Sequence, residues 1–583
     1  MAYDPCHTLT PFDFDDEIHF GFGPIQEHEK EPKHNHSFAM DQYGFYQQIK
    51  PQNQQEPNSN YSFFDDISDT NTIFFPTTQP TIQESVTFAE AIKQIPSQTS
   101  PPMASLELLS NYGSGLKKFN KAGKATNDVV GISKKWNYYR RQKPSTEEII
   151  RIAGARYIQF SNVAYHDYSL PTHPFGYAHS GLSEGETEDV ELVHLLLASA
   201  EKVGYQEYDR ATRLLRNCEL IASSKANPVQ RVVFFFAEAL REKINKETGR
   251  ANLGSSKGLL SEIIEGSSKV NLMEIRPAEK DEIITQGLST NITTLTYHQQ
   301  VPFCQVLQFP AIQTIVENFA SETRIHIIDL EIRSGIQWTG LFQALAGREG
   351  LPPVEQLKIT AVGVAGAHKI NETRKCLINL AKNLEIPFSF QTVIVSDMGD
   401  IKEELFEIDE EEAVGVYSSI VLRTLLWRPH CLENLMRVIR NLRPSIMVIA
   451  EVEANHNSPS FANRFIESLF FNGAFFDCID TCIKDEDFRT RMEELLSVGI
   501  RNVVASEQSE RVNRNVRLGV WRQFFSRFRM LELKLSESSM YQAKLVAKQF
   551  GCGSSCSVDT NGKSLVVGWK GTPIHSLSAW KFL

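Results

Sequence analysis

The chain has 583 residues, 41% of them hydrophobic, and a formal net charge of −11, so its length exceeds what one core usually organises and predicts two or three units. It contains no apolar run of about eighteen residues, which argues against a spanning helix. The acidic opening Met1-Ala2-Tyr3-Asp4-Pro5 and the odd count of nine cysteines argue against a leader and a disulfide framework, and the expected setting is intracellular.

Residues 1–100 carry fifteen Asp and Glu against four Lys and no Arg, so this head holds the whole net charge and the rest of the chain sums to zero. Aromatic residues sit among the acids, as in Phe12-Asp13-Phe14-Asp15-Asp16-Glu17 and Tyr61-Ser62-Phe63-Phe64-Asp65-Asp66, with Gln, Asn, Pro and Ser between them. Such a segment buries too little apolar area to offset its ordering entropy, and disorder is predicted. It reads either as an acidic-aromatic segment that recruits a partner's groove or as a spacer. From Lys117 to Lys143 the sign reverses, with nine Lys and Arg against Asp128 alone and Trp136, Tyr138 and Tyr139 among them. A nuclear import signal, a solvated linker and a phosphate contact all fit that stretch.

Order is expected from Pro144, where Ser145-Thr146-Glu147-Glu148 supplies a helix cap and early acids. Residues 144–185 then read as a helix followed by a loop rich in Pro, Gly and His. Three amphipathic helices follow, with apolar faces Val190, Val193, Leu196, Leu197; Ala211, Leu214, Leu215, Cys218; and Val229, Val232, Val233, Phe236, Leu240. They place an all-helical cap at about 186–320. Within the first, Leu192, Leu195 and Leu196 form a Leu-x-x-Leu-Leu pattern, repeated at Leu422, Leu425 and Leu426. A docking motif for a partner and a leucine row buried in a core share this spacing.

From about 321 to 583 short apolar runs alternate with helix-length sequence: Ile325–Leu330, Leu357–Gly363, Phe388–Val395, Gly415–Leu422 and Ile446–Val452. Helices at Pro459–Ala474 and Val512–Phe528 come next, then late strands at Leu531–Leu535, Cys556–Asp559 and Ser564–Trp569. The predicted class is α/β, a doubly wound, methyltransferase-like Rossmann core bearing the helical cap. That order raises a second function, a methyltransferase-like enzyme or small-ligand sensor, whose cofactor loop would need small residues after the first strand and a carboxylate ending the second. Here the first loop reads Leu330-Glu331-Ile332-Arg333-Ser334-Gly335, the second strand runs into Gly363-Val364-Ala365-Gly366, and Gly363-x-x-Gly366 is too short for a dinucleotide fingerprint. No catalytic residue, cofactor or metal is therefore expected. Asp329 reads as a ligand group or as a cap for the following helix. Cys478-x3-Cys482 and Cys552-x3-Cys556 have no histidine at finger spacing and read as reduced cysteines rather than a zinc site.

Ile325-His326-Ile327-Ile328-Asp329 differs from the VHIID signature of the plant GRAS family by one Ile for Val, and Trp569-x10-Trp580 keeps the spacing of its SAW region. Between them, Glu451 to Phe461 with Pro459 and Arg464 is similar to the PFYRE region, and Arg511-Val512-Asn513-Arg514 to the RVER element with Asn for Glu. The leucine-rich stretches complete an ordered set over about 185–583, and the chain thus resembles the GRAS transcription regulators. Two departures stand out: Arg529 occupies a place where the family often has Gly, and the loop after Asp329 is unusually charged. The head shows no DELLA or VHYNP motif. Its overall wording is similar to the family branch that serves root symbiosis, including arbuscular mycorrhiza.

The resemblance implies a nuclear regulator acting in homo- or hetero-dimers with other GRAS proteins or with DNA-binding transcription factors, with direct promoter DNA contact in some members. From the residues themselves, Arg511, Arg514 and Arg517 recur every third position on an expected helix, with Arg501, Arg522, Arg527 and Arg529 nearby. Phosphates would neutralise such a stripe, and so would internal ion pairs to the acidic 402–412 segment.

Overall fold

The computed structural model describes residues 144–160, 182–250, 291–364 and 367–583. The acidic head and the basic segment 117–143 lie outside the described residues. Among the described residues, no helix is long and apolar enough to cross a membrane.

The first ordered element, α1 (Thr146–Phe160), begins where Ser145 predicts. Ser145 Oγ accepts from the Glu148 N–H, and the Glu148 carboxylate accepts from the Ser145 N–H at 2.9 Å, so two N–H groups at the helix start are satisfied reciprocally. The same device opens α2 (Glu184–Gly204) at Ser183 and Glu186. Helices α3 (Tyr208–Ile221) and α4 (Pro228–Glu247) follow, the latter capped by Asn227 with proline at its first position. After α5 (Asn291–Gln300) and α6 (Pro302–Asn318) the chain enters the sheet.

The sheet contains β1 (Arg324–Asp329), β2 (Gln356–Gly363), β3 (Phe388–Ile394), β4 (Ala413–Ser419) and β5 (Ile446–Val452) in the order 3-2-1-4-5, all parallel. Helices α7 (Gln337–Ala346), α8 (Ala367–Asn383) and α9 (Pro429–Asn441) make the crossovers. All seven residues of β5 are buried, as a central parallel strand covered on both faces requires. Past β5 come α10 (Phe461–Cys482), α11 (Glu486–Val504) and α12 (Leu518–Arg527). The chain closes with β6 (Met530–Leu533), α13 (Glu537–Gln549), β7 (Cys556–Asn561), β8 (Ser564–Trp569) and β9 (Thr572–Phe582). The last strand runs antiparallel between β5 and β8, in register Val448↔Ala579 and Leu565↔Leu577, and carries β6 on its far end. The sequence shows every strand but β9, whose Pro573, His575, Ser576 and Ser578 hide a buried strand among polar letters.

The cap core takes more than the helices of 186–320. Ile149, Ile150 and Ala153 of α1 are buried in one cluster with Leu196, Leu215 and Phe236, and α10 and α11 add Phe465, Leu469, Ile500 and Val504. Two glycines let α1 press on α10: a Cβ at Gly154 would stand 2.4 Å from the Phe470 ring, and one at Gly473 2.6 Å from Ile150. Helix α6, by contrast, lies along β5, β8 and β9 and belongs to the sheet layer.

Arg529, at the turn between α12 and β6, has φ +55°, in the left-handed region that disfavours a Cβ. Glycine in that place is therefore a backbone preference. Arg529→Gly is expected to stabilise the fold by about 0.5–1 kcal/mol, read as a raised denaturation midpoint; a lowered midpoint would show that its side chain outweighs the strain.

Candidate functional site

In a doubly wound sheet the ligand crevice lies at the C-terminal ends of the strands where the order reverses, here between β1 and β4. Asp329 ends β1 and is fully buried. Its Oδ1 accepts from the Glu331 N–H at 3.1 Å, and Oδ2 from the Gln337 amide at 3.0 Å and the Trp338 indole at 2.8 Å. Of its two readings, ligand group or helix cap, the cap is not what forms: the N-cap position of α7 is Ile336, with no side-chain cap. Asp329 thus folds the loop Leu330–Gly335 back on itself. Arg333 (φ +50°) crosses from that loop to within 3.4 Å of the Ser419 carbonyl, so β1 and β4 are bridged where a ligand would enter.

Burial pushes the Asp329 carboxyl up to about 6, against three hydrogen bonds that favour its charge. A raised carboxyl contributes stability that is complete below its unfolded value of 3.8 and is lost as pH rises through about 6. Relative to Asp329→Asn, the wild type should therefore lose roughly 3 kcal/mol between about pH 4 and pH 6, followed by denaturant unfolding at several pH values. A flat difference between the two proteins would sink this assignment.

His326, three residues earlier on β1, is also buried, with Nδ1 2.8 Å from Glu412 and Nε2 2.7 Å from the Thr360 hydroxyl. Burial drags its pKa down to about 4, mainly against the pull of Glu412. Glu412 belongs to the acidic 402–412 segment, whose Asp409 pairs with Arg324 at 2.9 Å. That segment is thus tied to β1 and not to the arginines of 511–517.

Those arginines are not on a helix, which is the structure's main correction to the sequence reading. Residues 511–517 run extended because tertiary partners take their backbone groups: Asn515 O accepts from the His456 N–H at 3.0 Å, Asn513 O from the Asn502 amide at 2.6 Å, and the Arg514 N–H donates to Arg423 O at 3.2 Å. Helix α12 starts only at Leu518, whose N–H is accepted by Glu453 at 3.0 Å. Arg511 is buried and donates to His456 O at 2.8 Å, and burial with Arg464 and Arg514 beside it holds it down to about 9. Arg514 donates to Gln508 O at 2.8 Å, and Arg517 pairs with Glu467 at 2.7 Å. Nearby, Arg522 grips both oxygens of Glu532. Guanidinium groups committed in this way are not presented to phosphates.

The remaining motif residues act as internal braces. Arg464, 2% exposed, donates to Ser458 O and Pro459 O at 3.0 and 3.1 Å and pairs with Glu507, fastening the loop before α10. Trp569 donates to Asp477 at 2.6 Å, and Trp580 to the Ser578 hydroxyl at 2.8 Å. Leu192, Leu195 and Leu196 are buried in the cap core, and Leu422, Leu425 and Leu426 are buried just after β4, so both Leu-x-x-Leu-Leu patterns are core rows and not exposed docking motifs.

An exposed cationic surface lies elsewhere. Arg437 and Arg440 stand one turn apart on α9, Arg443 follows its end, and Arg527 of α12 and Lys581 of β9 line the same surface. All five are exposed, and two surface cavities of about 570 and 580 Å³ share Arg440. Glu433, 3.6 Å from Arg527, and Glu403 are the carboxylate side chains lining them. The face lies at the N-terminal end of β5, away from the crevice. Its signal in the sequence is Arg437, Arg440 and Arg443 at three-residue intervals, too widely spaced to form a basic run.

The sequence model of the GRAS domain family matches residues 192–581. The DELLA protein GAIP of Cucurbita maxima is 29% identical over 405 residues, 69% of this chain and 64% of its own length. The DELLA protein RGA of Arabidopsis thaliana is 28% identical over 405 residues, 69% of this chain and 63% of its own. The chain thus spans a little under two thirds of these relatives. The crystal structure of SCL7 in Oryza sativa aligns with a TM-score of 0.55 at 22% identity, covering 67% of this chain and 99% of that one, which is a likeness of fold.

Proposed function

Because the chain belongs to the GRAS domain family, we propose that it is a plant regulator of transcription that works in the nucleus through complexes with other GRAS proteins and with DNA-binding factors. The observation that carries this reading is the family match across 192–581, cap and core together. The crevice between β1 and β4 agrees with it: the buried Asp329 spends both oxygens on the protein itself and Arg333 reaches across to Ser419, which favours a scaffold over a methyltransferase-like enzyme or ligand sensor. The acidic-aromatic head would supply recruitment and the segment 117–143 nuclear import.

A second element, direct contact with promoter DNA, is favoured by the exposed face of Arg437, Arg440 and Arg443, because exposed surface cations are what phosphate backbones neutralise. The pathway reading, root symbiosis with arbuscule development or hormone-linked development, draws on the family resemblance. A loss-of-function line scored for arbuscules in colonised roots separates the two.

Tethered to a promoter through a heterologous DNA-binding domain, the full chain should change reporter transcription several-fold, and the untethered chain should accumulate in nuclei. An unchanged reporter together with exclusion from nuclei would contradict the proposal.

A further inference from the structure

Cysteines from two distant parts of the sequence meet at the C-terminal end of α10. Cys482 Sγ lies 2.8 Å from Cys552 Sγ, across 70 positions of sequence, and Cys478, one helical turn earlier, lies 3.9 Å from Cys482. Cys482 and Cys552 are half-buried, whereas Cys478 and Cys556 are buried. A solvent-borne reagent therefore reaches the close pair and not its neighbours. Among the described residues, no three His, Cys, Asp or Glu side chains are arranged to hold a metal ion, so the cluster's available chemistry is that of thiols.

We propose that Cys482 and Cys552 form a redox-responsive thiol pair that closes to a disulfide under an oxidising small-molecule disulfide such as glutathione disulfide. One cysteine loses its proton and attacks a glutathione sulfur, giving a mixed disulfide and releasing one glutathione, which takes up that proton. The second cysteine, deprotonated in turn, displaces the remaining glutathione. Two protein thiols are oxidised and one glutathione disulfide is reduced to two glutathiones. In a reducing compartment the pair is open at rest, and transient sensing disulfides are the usual kind there.

The Cys478 contact raises the Cys482 thiol against the opposing pull of Cys552, the Cys482 contact raises Cys552, and burial adds to both, so closure is slow at neutral pH and quickens as pH rises. The bridge has a structural consequence. α10 carries Phe465, Leu469 and Phe470 into the cap core, while Cys552 sits in the turn before β7, so closure fastens the cap's longest helix to the antiparallel flank of the sheet. Cross-linking across so long a loop should raise the thermal midpoint.

The full chain is incubated with glutathione disulfide at pH 7.0 and 8.5, alkylated, digested and mapped by mass spectrometry. The expected product is a peptide joining Cys482 to Cys552, formed at least several-fold faster at pH 8.5, with a Tm raised by several degrees and restored by dithiothreitol. It should vanish in Cys482→Ser and in Cys552→Ser and persist in Cys478→Ser. Full alkylation of Cys482 and Cys552 after oxidation of the folded chain overturns the proposal, and so does a bridge from Cys482 to any other cysteine.

Discussion

Trp569→Ala should lower the stability of the folded chain by about 3–5 kcal/mol, the range for emptying a buried aromatic site. The indole is fully buried on β8, edge-on to Phe303 of α6 with ring centres 6.3 Å apart, and its N–H meets Asp477 of α10 at 2.6 Å. Three layers of the molecule therefore meet at one ring. Trp569→Phe separates the contributions: it keeps most of the apolar area but leaves Asp477 with Lys570 at 2.7 Å, and should cost about 1–3 kcal/mol. Denaturant midpoints of the two variants test this, and an alanine variant within 1 kcal/mol of the wild type would remove the tryptophan from the structural core. Partner binding by either variant should fall only in proportion to the unfolded fraction, because neither substitution alters an exposed surface.

Arg231→Ala should cost a comparable 3–5 kcal/mol, for an electrostatic reason. Arg231 is 3% exposed on α4, and its Nε lies 2.9 and 3.1 Å from the two oxygens of Glu493 on α11, which is 1% exposed. Its other nitrogens reach Asp480 at 2.7 Å and the Ala226 carbonyl at 2.8 Å. Burial already pushes Glu493 up to about 7 against the attraction of Arg231. Without the arginine it should hold its proton to higher pH, so the loss deepens as pH rises above 7 and eases below it. Replacing the pair together, Arg231→Met with Glu493→Leu, should recover most of the loss, since an apolar pair of similar volume avoids the desolvation penalty. A single alanine variant costing no more than an exposed ion pair, about 0–1 kcal/mol, would contradict this reading.

Where one element's own apolar pattern decided its structure, the sequence was readable. The strands Ile325–Ile328 and Ile446–Val452 are mainly apolar runs of the kind a sheet covered on both faces accommodates, and the caps at Ser145 and Ser183 sit beside the residues they satisfy. Legibility failed where distant groups decided. The three-residue spacing of Arg511, Arg514 and Arg517 has a helical period, yet Asn502, His456 and Arg423 claim the backbone between them. Leu192, Leu195 and Leu196 have one spacing whether they face a partner or a core, and burial against α1, α4 and α10 settles them as core. Asp329 reads from the sequence as a ligand group or a helix cap, and neither reading foresees that Trp338 and Gln337 reach back to it. The exposed arginines of α9 form a face only when α12 and β9 are brought beside them, which no local window contains.

As proposed above, the chain reaches promoters through partners, and its own contact with DNA runs through Arg437, Arg440 and Arg443. The most direct test is association of the full chain with promoter duplex across a salt series, alone and with a co-expressed GRAS protein, repeated with those three arginines changed to Ala and with Arg511, Arg514 and Arg517 changed to Ala. Weak, salt-sensitive binding alone and a large gain with the partner are expected. The first triple variant should lower the log–log salt slope by about 2 to 3, as loss of three phosphate contacts requires, while the second should act only through stability. Tight binding by the chain alone that survives the first variant and is abolished by a still-folded second would contradict the proposal.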